Sequence, residues 1–427
     1  MYVPKLLDRR RVRRVSIAVL LTSALLLIVA VLTAKNNRTI FGPNLGGDWL
    51  AFHDAGRILN EYGPNRLYDV GLQAELYHNT LPDEPPEANL PFANAPFVAV
   101  MAAPLAKLPY IASYLAWVMI SLAIFVAALM LALRAADMPR SRWTFCLIVG
   151  LSFEPLMFEC IHGGQISAIG LFALTAAAFL NLSNRPLSAG LALAVCIYKP
   201  TLLPIVLIML AACRQWRVLG GFMIGSLLLG IFCLLAVGLE ATFDYLRILA
   251  SYAGLCPGPI SNGIFVTWKF IDLNSFLKLL GTDRIWIALV MLAAAIEVTR
   301  GARLLWNTPV APGTDDLRMA WACALSCTLV LNVYVGIYDS VLILPSLFIT
   351  TAVVLRRAEE VPSMLRLLMA CAFVLPWCSQ IMAREMGFQP FTLALLAIGA
   401  MQFQLLSIGN KSYNIKVFPV FSTMSRV

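Results

Sequence analysis

Long, nearly continuous runs of apolar residues divide this 427-residue chain, and short polar segments separate the runs. Most runs approach about 20 residues, the length that an α-helix needs to cross the apolar core of a bilayer. None shows the regular alternation of apolar and polar positions that a membrane β-barrel requires, so we predict an all-α fold. The predicted spans are residues 15–34, 111–133, 143–160, 165–182, 218–238, 285–305, 319–333, 340–355, 365–381 and 391–408.

A further apolar stretch, residues 186–213, is interrupted at its centre by Tyr198-Lys199-Pro200-Thr201. Arginines flank both of its ends, and the stretch is too short to cross a bilayer twice at full length. We therefore predict two short helices, residues 187–198 and 202–213, that form a hairpin. Its two arms and the ten spans make a single polytopic domain, residues 1–427, of about 12 transmembrane helices.

The composition supports a membrane location. Hydrophobic residues make up 60% of the chain and charged residues only 13%. Soluble domains contain roughly 45–50% apolar residues and about 25% charged residues. The net charge of +9 comes from lysines and arginines that concentrate at one side of the predicted spans, as cytoplasmic flanks do. We therefore expect membrane lipids rather than nucleic acid as partners, and a multi-pass protein of the bacterial inner membrane.

The same charges predict the topology. The segment before the first span contains Arg9, Arg10, Arg11, Arg13 and Arg14, which places the N-terminus in the cytoplasm. An even number of crossings returns the C-terminus to the cytoplasm. Residues 35–110 and 239–284 then form two extracytoplasmic loops, and the first of them carries short juxtamembrane helices.

The ten cysteines and three histidines show no spacing typical of a metal site. We expect neither a metal ion nor another cofactor.

The first predicted loop contains an amphipathic helix that begins after Asp48. Its apolar face is formed by Ala51, Ala55, Ile58 and Tyr62, which recur at helical spacing. Asp48 follows two glycines at the expected membrane boundary. Its carboxylate would either cap the helix or act as a general base that takes a proton from a hydroxyl group.

A series of short motifs resembles glycosyltransferase family 87, whose members are polytopic enzymes of the type C fold. The motifs follow one another in order between about residues 40 and 360 and comprise Gly47-Asp48 with Phe52, Leu67-Tyr68-Asp69, Ala95-Pro96-Phe97, the segment 103–109, Gly164-Gln165, the segment 187–191 with Lys199-Pro200-Thr201, and Tyr338-Asp339.

The resemblance implies an inverting transfer of a mannose-like hexose from a polyprenyl-phosphate sugar to a glycan or glycolipid acceptor, on the extracytoplasmic face. Asp48 then matches the catalytic base. Lys199, at the break of the hairpin, would hold the donor phosphate, since a buried lysine needs a counter-charge. The alternative for Lys199 is snorkelling to the interface.

Six further residues near the outer ends of spans or in the second loop are candidates for substrate binding. Asp339 would otherwise cap a helix, and Trp268 would otherwise anchor the chain at the membrane interface. The candidates are Glu159, His162, Gln165, Asn262, Trp268 and Asp339.

Two other functions suit the same sequence. A transporter or lipid flippase could also use a buried lysine in a broken hairpin, although such proteins usually consist of two similar halves, which are not evident here. A non-catalytic scaffold for envelope assembly would leave Asp48 without a chemical role.

Overall fold

The computed structural model describes residues 8–85, 88–252, 267–307, 310–357 and 361–407. Among these residues the only β pairings are isolated bridges, so the all-α prediction is confirmed. The α-helices are α1 (Arg9–Thr33), α2 (Trp49–Glu61), α3 (Val70–Thr80), α4 (Pro96–Ala102), α5 (Tyr110–Ala135), α6 (Trp143–Leu151), α7 (Ser167–Leu182), α8 (Pro186–Ala194), α9 (Pro204–Ala212), α10 (Trp216–Tyr252), α11 (Leu273–Leu279), α12 (Arg284–Asn307), α13 (Asp315–Val330), α14 (Ile343–Arg357), α15 (Ser363–Val374), α16 (Pro376–Met386) and α17 (Pro390–Ser407).

Several of these helices could cross a membrane. In the described part of the chain, five segments are long and apolar enough, namely α1, α5, α10, α12 and Ile337–Arg357. Two bent helix pairs raise the number to seven if each pair is one span. Helices α7 and α17 and the arms of the broken stretch are apolar but shorter. The protein is therefore an all-helical membrane protein, and the count of about 12 crossings stays a prediction.

Two of the predicted spans are not single helices. Residues 143–160 divide into α6 and a π-helix, Pro155–His162, and the axis bends by 59° between them. Residues 365–381 divide into α15 and α16 with a bend of 64°. Each second piece begins with a proline, Pro155 or Pro376. A proline has no N–H to donate and its ring clashes with the preceding turn, so the helix cannot continue straight.

The broken apolar stretch has the two short helices that the sequence predicts. Helices α8 and α9 are separated by two 3₁₀ turns, Val195–Tyr198 and Pro200–Leu202. Lys199 between them has φ −138° and ψ 84°, because a residue before proline is forced out of the helical region. Helix α8 packs against α7 and α10, whereas α9 packs against α13 and α12. The two arms therefore have different main neighbours, although both contact α10.

The predicted amphipathic helix of the first loop is confirmed as α2. Ala51, Ala55 and Ile58 are buried where α2 packs against α3, α4 and α5, whereas Tyr62 is exposed, so the apolar face is shorter than predicted. On its other side Arg57 pairs with Glu61 at 3.4 Å, as the i, i+4 spacing predicts. Asp54, on the same helix, is buried beside His53. The first predicted loop also contains the short helices α3 and α4 and the 3₁₀ turn Leu105–Lys107.

An ion-pair network ties three helix ends together at the side of the bundle opposite α2. Asp315, at the start of α13, accepts hydrogen bonds from Arg318 at 3.2 Å and Arg356 at 2.7 Å. Arg356 also donates to the Ala136 carbonyl at 3.0 Å. Burial raises the pKa of the Asp315 carboxyl, but the hydrogen bond and charge of Arg356, helped by Arg318, outweigh burial and hold the pKa below its ordinary range.

We expect Asp315→Asn to lower the free energy of unfolding by about 1–3 kcal/mol, because hydrogen bonds to charged groups have that magnitude. Tryptophan fluorescence during heating in detergent would measure the change. The lowered pKa means that the wild-type advantage exists above the unfolded-state pKa and disappears as the pH falls through the folded-state pKa. Asp316→Asn is the matched control, because Asp316 is more exposed and contacts Arg357 alone within this network. Equal losses in the two variants would contradict the prediction.

Candidate functional site

Asp48 lies where two glycine turns pack against each other. Its backbone N–H donates to the Gly163 carbonyl at 2.8 Å. A Cβ atom on Gly47 would lie 2.9 Å from the same carbonyl oxygen, so the close approach requires glycine at that position. Trp49, the next residue, stacks on Trp117 of α5 with ring centroids 4.8 Å apart. The turn that carries Asp48 is thus held between α5 and the Gly163-Gly164 turn that precedes α7.

The Asp48 carboxylate does not cap α2, although Asp48 occupies the N-cap position. It accepts a hydrogen bond from the side-chain amide of Gln165 instead. Burial raises the pKa of this carboxyl, and the positive charges of Lys269 and Lys199 and the Gln165 hydrogen bond partly oppose the rise. A partly buried carboxylate with a raised pKa has the properties of a general base.

Lys199 forms an ion pair with Asp339 at the break between α8 and α9. The Asp339 side chain is 1% exposed and that of Lys199 is 18% exposed, so the pair is buried. Ser167 donates to the second Asp339 oxygen at 3.2 Å. The Lys199 ammonium also lies 4.4 Å from the centroid of the Tyr338 ring. Asp339 therefore supplies a counter-charge for Lys199, and its carboxylate makes no helix-capping hydrogen bond.

Residues 165–167, at the junction that leads into α7, connect the two charged groups. Gln165 holds Asp48, and Ser167, two residues later, holds Asp339. The hairpin break is fixed from another side, because the Asn332 amide donates to the Thr201 carbonyl. The Asp48 carboxylate and the Lys199 ammonium, which are distant in the sequence, thus share one site.

Glu159 lies on the π-helix and accepts a hydrogen bond from Gln380 of α16 at 2.9 Å. It is within electrostatic range of Asp48 and Lys269, so it borders the same site. His162 is one turn further along but contacts α1, since its Nε2 lies 3.0 Å from the Ser23 hydroxyl oxygen. Glu159 thus joins the group around Asp48, whereas His162 attaches the first helix to the bundle.

Trp268 lies in the 3₁₀ turn Thr267–Lys269. Its carbonyl accepts a hydrogen bond from Gln389 at 3.3 Å, which links the turn to the start of α17. The candidate Asn262 lies outside the described residues.

The sequence patterns missed two groups that complete the site, Ser167 and Gln380, and indicated Tyr338 only as part of a motif. Gln380 could have been noticed as an amide within an otherwise apolar predicted span, residues 365–381. Ser167 carries no such signal, because a serine in an apolar helix is common. In the described residues, no group of three or more histidine, cysteine, aspartate or glutamate side chains is gathered as a metal site would require.

Comparison with protein families gives one match. The model for glycosyltransferase family 87 matches residues 92–331, which is more than half of the chain. The matched region includes Glu159, Gln165 and Lys199, whereas Asp48 and Asp339 lie on either side of it. No curated protein and no solved structure matches the chain.

Proposed function

The chain belongs to glycosyltransferase family 87 and is a membrane glycosyltransferase; from this premise we propose that it transfers a mannose-like hexose from a polyprenyl-phosphate sugar to a glycan or glycolipid acceptor, with inversion. The observation that carries the proposal is the connection of Asp48 to Lys199 through Gln165, Ser167 and Asp339. Such a transfer releases a proton from the acceptor hydroxyl group and develops negative charge on the leaving phosphate. A base and a cation in one partly buried site suit these two requirements.

In the proposed reaction Asp48 accepts the proton of the acceptor hydroxyl group. The hydroxyl oxygen then forms a bond to C1 of the donor sugar as the bond between C1 and the phosphate oxygen breaks. The electron pair of the broken bond stays on the leaving polyprenyl phosphate. The Gln165 amide holds one Asp48 oxygen, so the other oxygen can point toward the acceptor. Displacement from the opposite face inverts the configuration at C1.

Lys199 is the proposed ligand of the donor phosphate. Its ammonium has three N–H donors, so the bond to Asp339 does not use its whole capacity. Asp339 would orient the ammonium in the unoccupied enzyme. Glu159, His162, Gln165, Asp339, Trp268 and Asn262 remain proposed substrate-binding residues, and Glu159 has the strongest support because it lies within electrostatic range of Asp48.

A direct assay tests this function. The purified protein in lipid nanodiscs would be incubated with radiolabelled polyprenyl-phosphate mannose and a membrane-lipid extract that provides acceptors. Product formation together with release of polyprenyl phosphate is the expected result. A transporter or flippase would move the labelled lipid across a vesicle membrane without cleaving it, and a scaffold would do neither.

The proposed location of the site on the extracytoplasmic face predicts the accessibility of inserted epitope tags. Tags after residues 85 and 260 should bind antibody on intact spheroplasts, because they fall in the two proposed external loops. Tags after residues 138 and 310 should bind antibody only after permeabilisation, because they lie beside arginine-rich flanks. A tag after residue 138 that reacts on intact spheroplasts would overturn the proposed side of catalysis.

A further inference from the structure

Two cations flank the ring of Trp268 at the rim of the candidate site. The Lys269 ammonium lies 5.5 Å from the ring centroid, and the Arg384 guanidinium carbon lies 5.9 Å from it. Both distances are within the range of cation–π attraction. Arg384 is on α16, one turn after Gln380, the residue that holds Glu159. Helix α16 therefore connects this basic rim to the interior of the site.

The rim is a fixed part of the fold. Gln389 donates to both the Trp268 carbonyl at 3.3 Å and the Phe270 carbonyl at 3.1 Å, and Ser379 donates to Gln389 at 2.6 Å. On the other side, the Ile271 N–H donates to the Val335 carbonyl at 2.9 Å. The turn is thus attached at one end to the α16–α17 junction and at the other to the segment that precedes Tyr338 and Asp339.

Lys199 and Lys269 differ in the carboxyl groups that surround them. Asp339 neutralises Lys199, and two further carboxyl groups, Asp48 and Glu159, border the same space. Lys269 is exposed, and no carboxylate among the described residues lies within ion-pair distance of it. Its charge opposes the burial-induced rise in the pKa of Asp48 more strongly than the charge of Lys199 does. Lys269 therefore lies within electrostatic range of Asp48, and its ammonium group is available to a ligand.

We propose that Lys269 is a second ligand of the donor phosphate, with Arg384 attracting the same anion at the rim of the site. The inference rests on the proposed function and adds to it a residue that binds the leaving group. The phosphate of the donor is a diester with one negative charge, and the leaving monoester acquires a second negative charge as the bond to C1 breaks. An ammonium at this position therefore stabilises the transition state more than it stabilises the bound donor.

Lys269→Met tests the proposal, with Lys278→Met as the matched control. Lys278 is likewise exposed and lies beside an aromatic ring, 5.6 Å from the centroid of Tyr334, but its charge is not among those that act on Asp48. Native mass spectrometry would measure the affinity for a polyprenyl monophosphate, and inorganic phosphate would be titrated separately.

We expect Lys269→Met to weaken polyprenyl monophosphate binding by about tenfold to a hundredfold, the effect of losing a hydrogen bond to a charged group. Lys278→Met should bind like the wild type, and Lys269→Arg should keep part of the affinity because it keeps the charge. Competition by inorganic phosphate at similar concentrations would show that the site recognises the free anion, which would contradict the assignment to the lipid-linked donor.

Three results would overturn the inference. Unchanged polyprenyl monophosphate affinity in Lys269→Met excludes the proposed contact, even if transfer becomes slower. An equal loss in Lys278→Met would show that the effect comes from net charge alone. Failure of the wild type both to bind polyprenyl monophosphate and to transfer sugar would overturn the inference together with the proposed function. If the wild type transfers sugar and Lys269→Met binds normally, only the inference fails.

Discussion

Asp48→Asn is expected to lower sugar transfer by about 10²–10⁴-fold, the contribution typical of a general base. The amide has nearly the same size and can still contact Gln165, but it cannot accept the acceptor proton. Polyprenyl monophosphate binding should stay near the wild-type value, because the proposed phosphate ligands are untouched. Single-turnover transfer assays, combined with binding measurements on the same preparation, would show whether chemistry is lost while donor binding remains.

Asp69→Asn is a suitable control for the Asp48 substitution. Asp69 also precedes a helix of the first loop, but its carboxylate accepts a hydrogen bond from the Leu72 N–H at 3.0 Å and therefore caps α3. Asparagine preserves this type of cap, so transfer should be unchanged. Transfer by Asp48→Asn within about threefold of the wild type, well below the factor expected for loss of a base, would remove Asp48 from the mechanism. The base would then be sought at Asp54 or Glu159.

The pH dependence of transfer should report the same carboxyl group. Since burial raises the pKa of Asp48, the fraction of ionised base should begin to fall at a pH above the ordinary range for aspartate. The value of kcat/KM should therefore decrease on the acid side of that pKa. Lys269→Met should shift this limb to higher pH, because it removes a charge that lowers the pKa, whereas Lys278→Met should leave the limb in place.

The local features of the fold could be predicted because their causes are local. The apolar spacing of Ala51, Ala55 and Ile58 predicts α2, and the proline after Lys199 predicts the break between α8 and α9. The prolines at positions 155 and 376 could in principle have predicted the two bends. The length of the apolar runs did not predict the bends, because a continuous apolar run is compatible with either a straight span or a bent one.

The arrangement of the site depends on contacts between distant segments. Gln165 and Asp48 are 117 positions apart, and Lys199 and Asp339 are 140 positions apart. The sequence indicated that each residue was a candidate, but it gave no means of pairing them. Only the packing of α7 against α5 and against the segment Ile337–Leu342 brings them into one site. The same limit explains why the sequence predicted a phosphate, and not Asp339, as the counter-charge of Lys199.

Lys199→Met is expected to lower the free energy of unfolding by about 3–5 kcal/mol, the loss typical when one partner of a buried ion pair is removed. The Asp339 carboxylate would stay buried with the Ser167 hydroxyl as its main remaining partner. Thermal unfolding in detergent would measure the loss. Stability within about 1 kcal/mol of the wild type, the range of exposed ion pairs, would contradict a buried pair. This destabilisation also means that the single variant cannot separate binding from folding.

The double variant Lys199→Met with Asp339→Asn separates the two effects. Asparagine removes the uncompensated charge, so the double variant should regain most of the stability that Lys199→Met loses. If Lys199 binds the donor phosphate, the stable double variant should still bind polyprenyl monophosphate more weakly than the wild type and transfer sugar more slowly. Asp339→Asn alone should leave the Lys199 charge free and bind the phosphate at least as tightly as the wild type. Wild-type affinity in the stable double variant would show that Lys199 stabilises the hairpin only, and the donor phosphate would then have Lys269 as its remaining proposed lysine ligand.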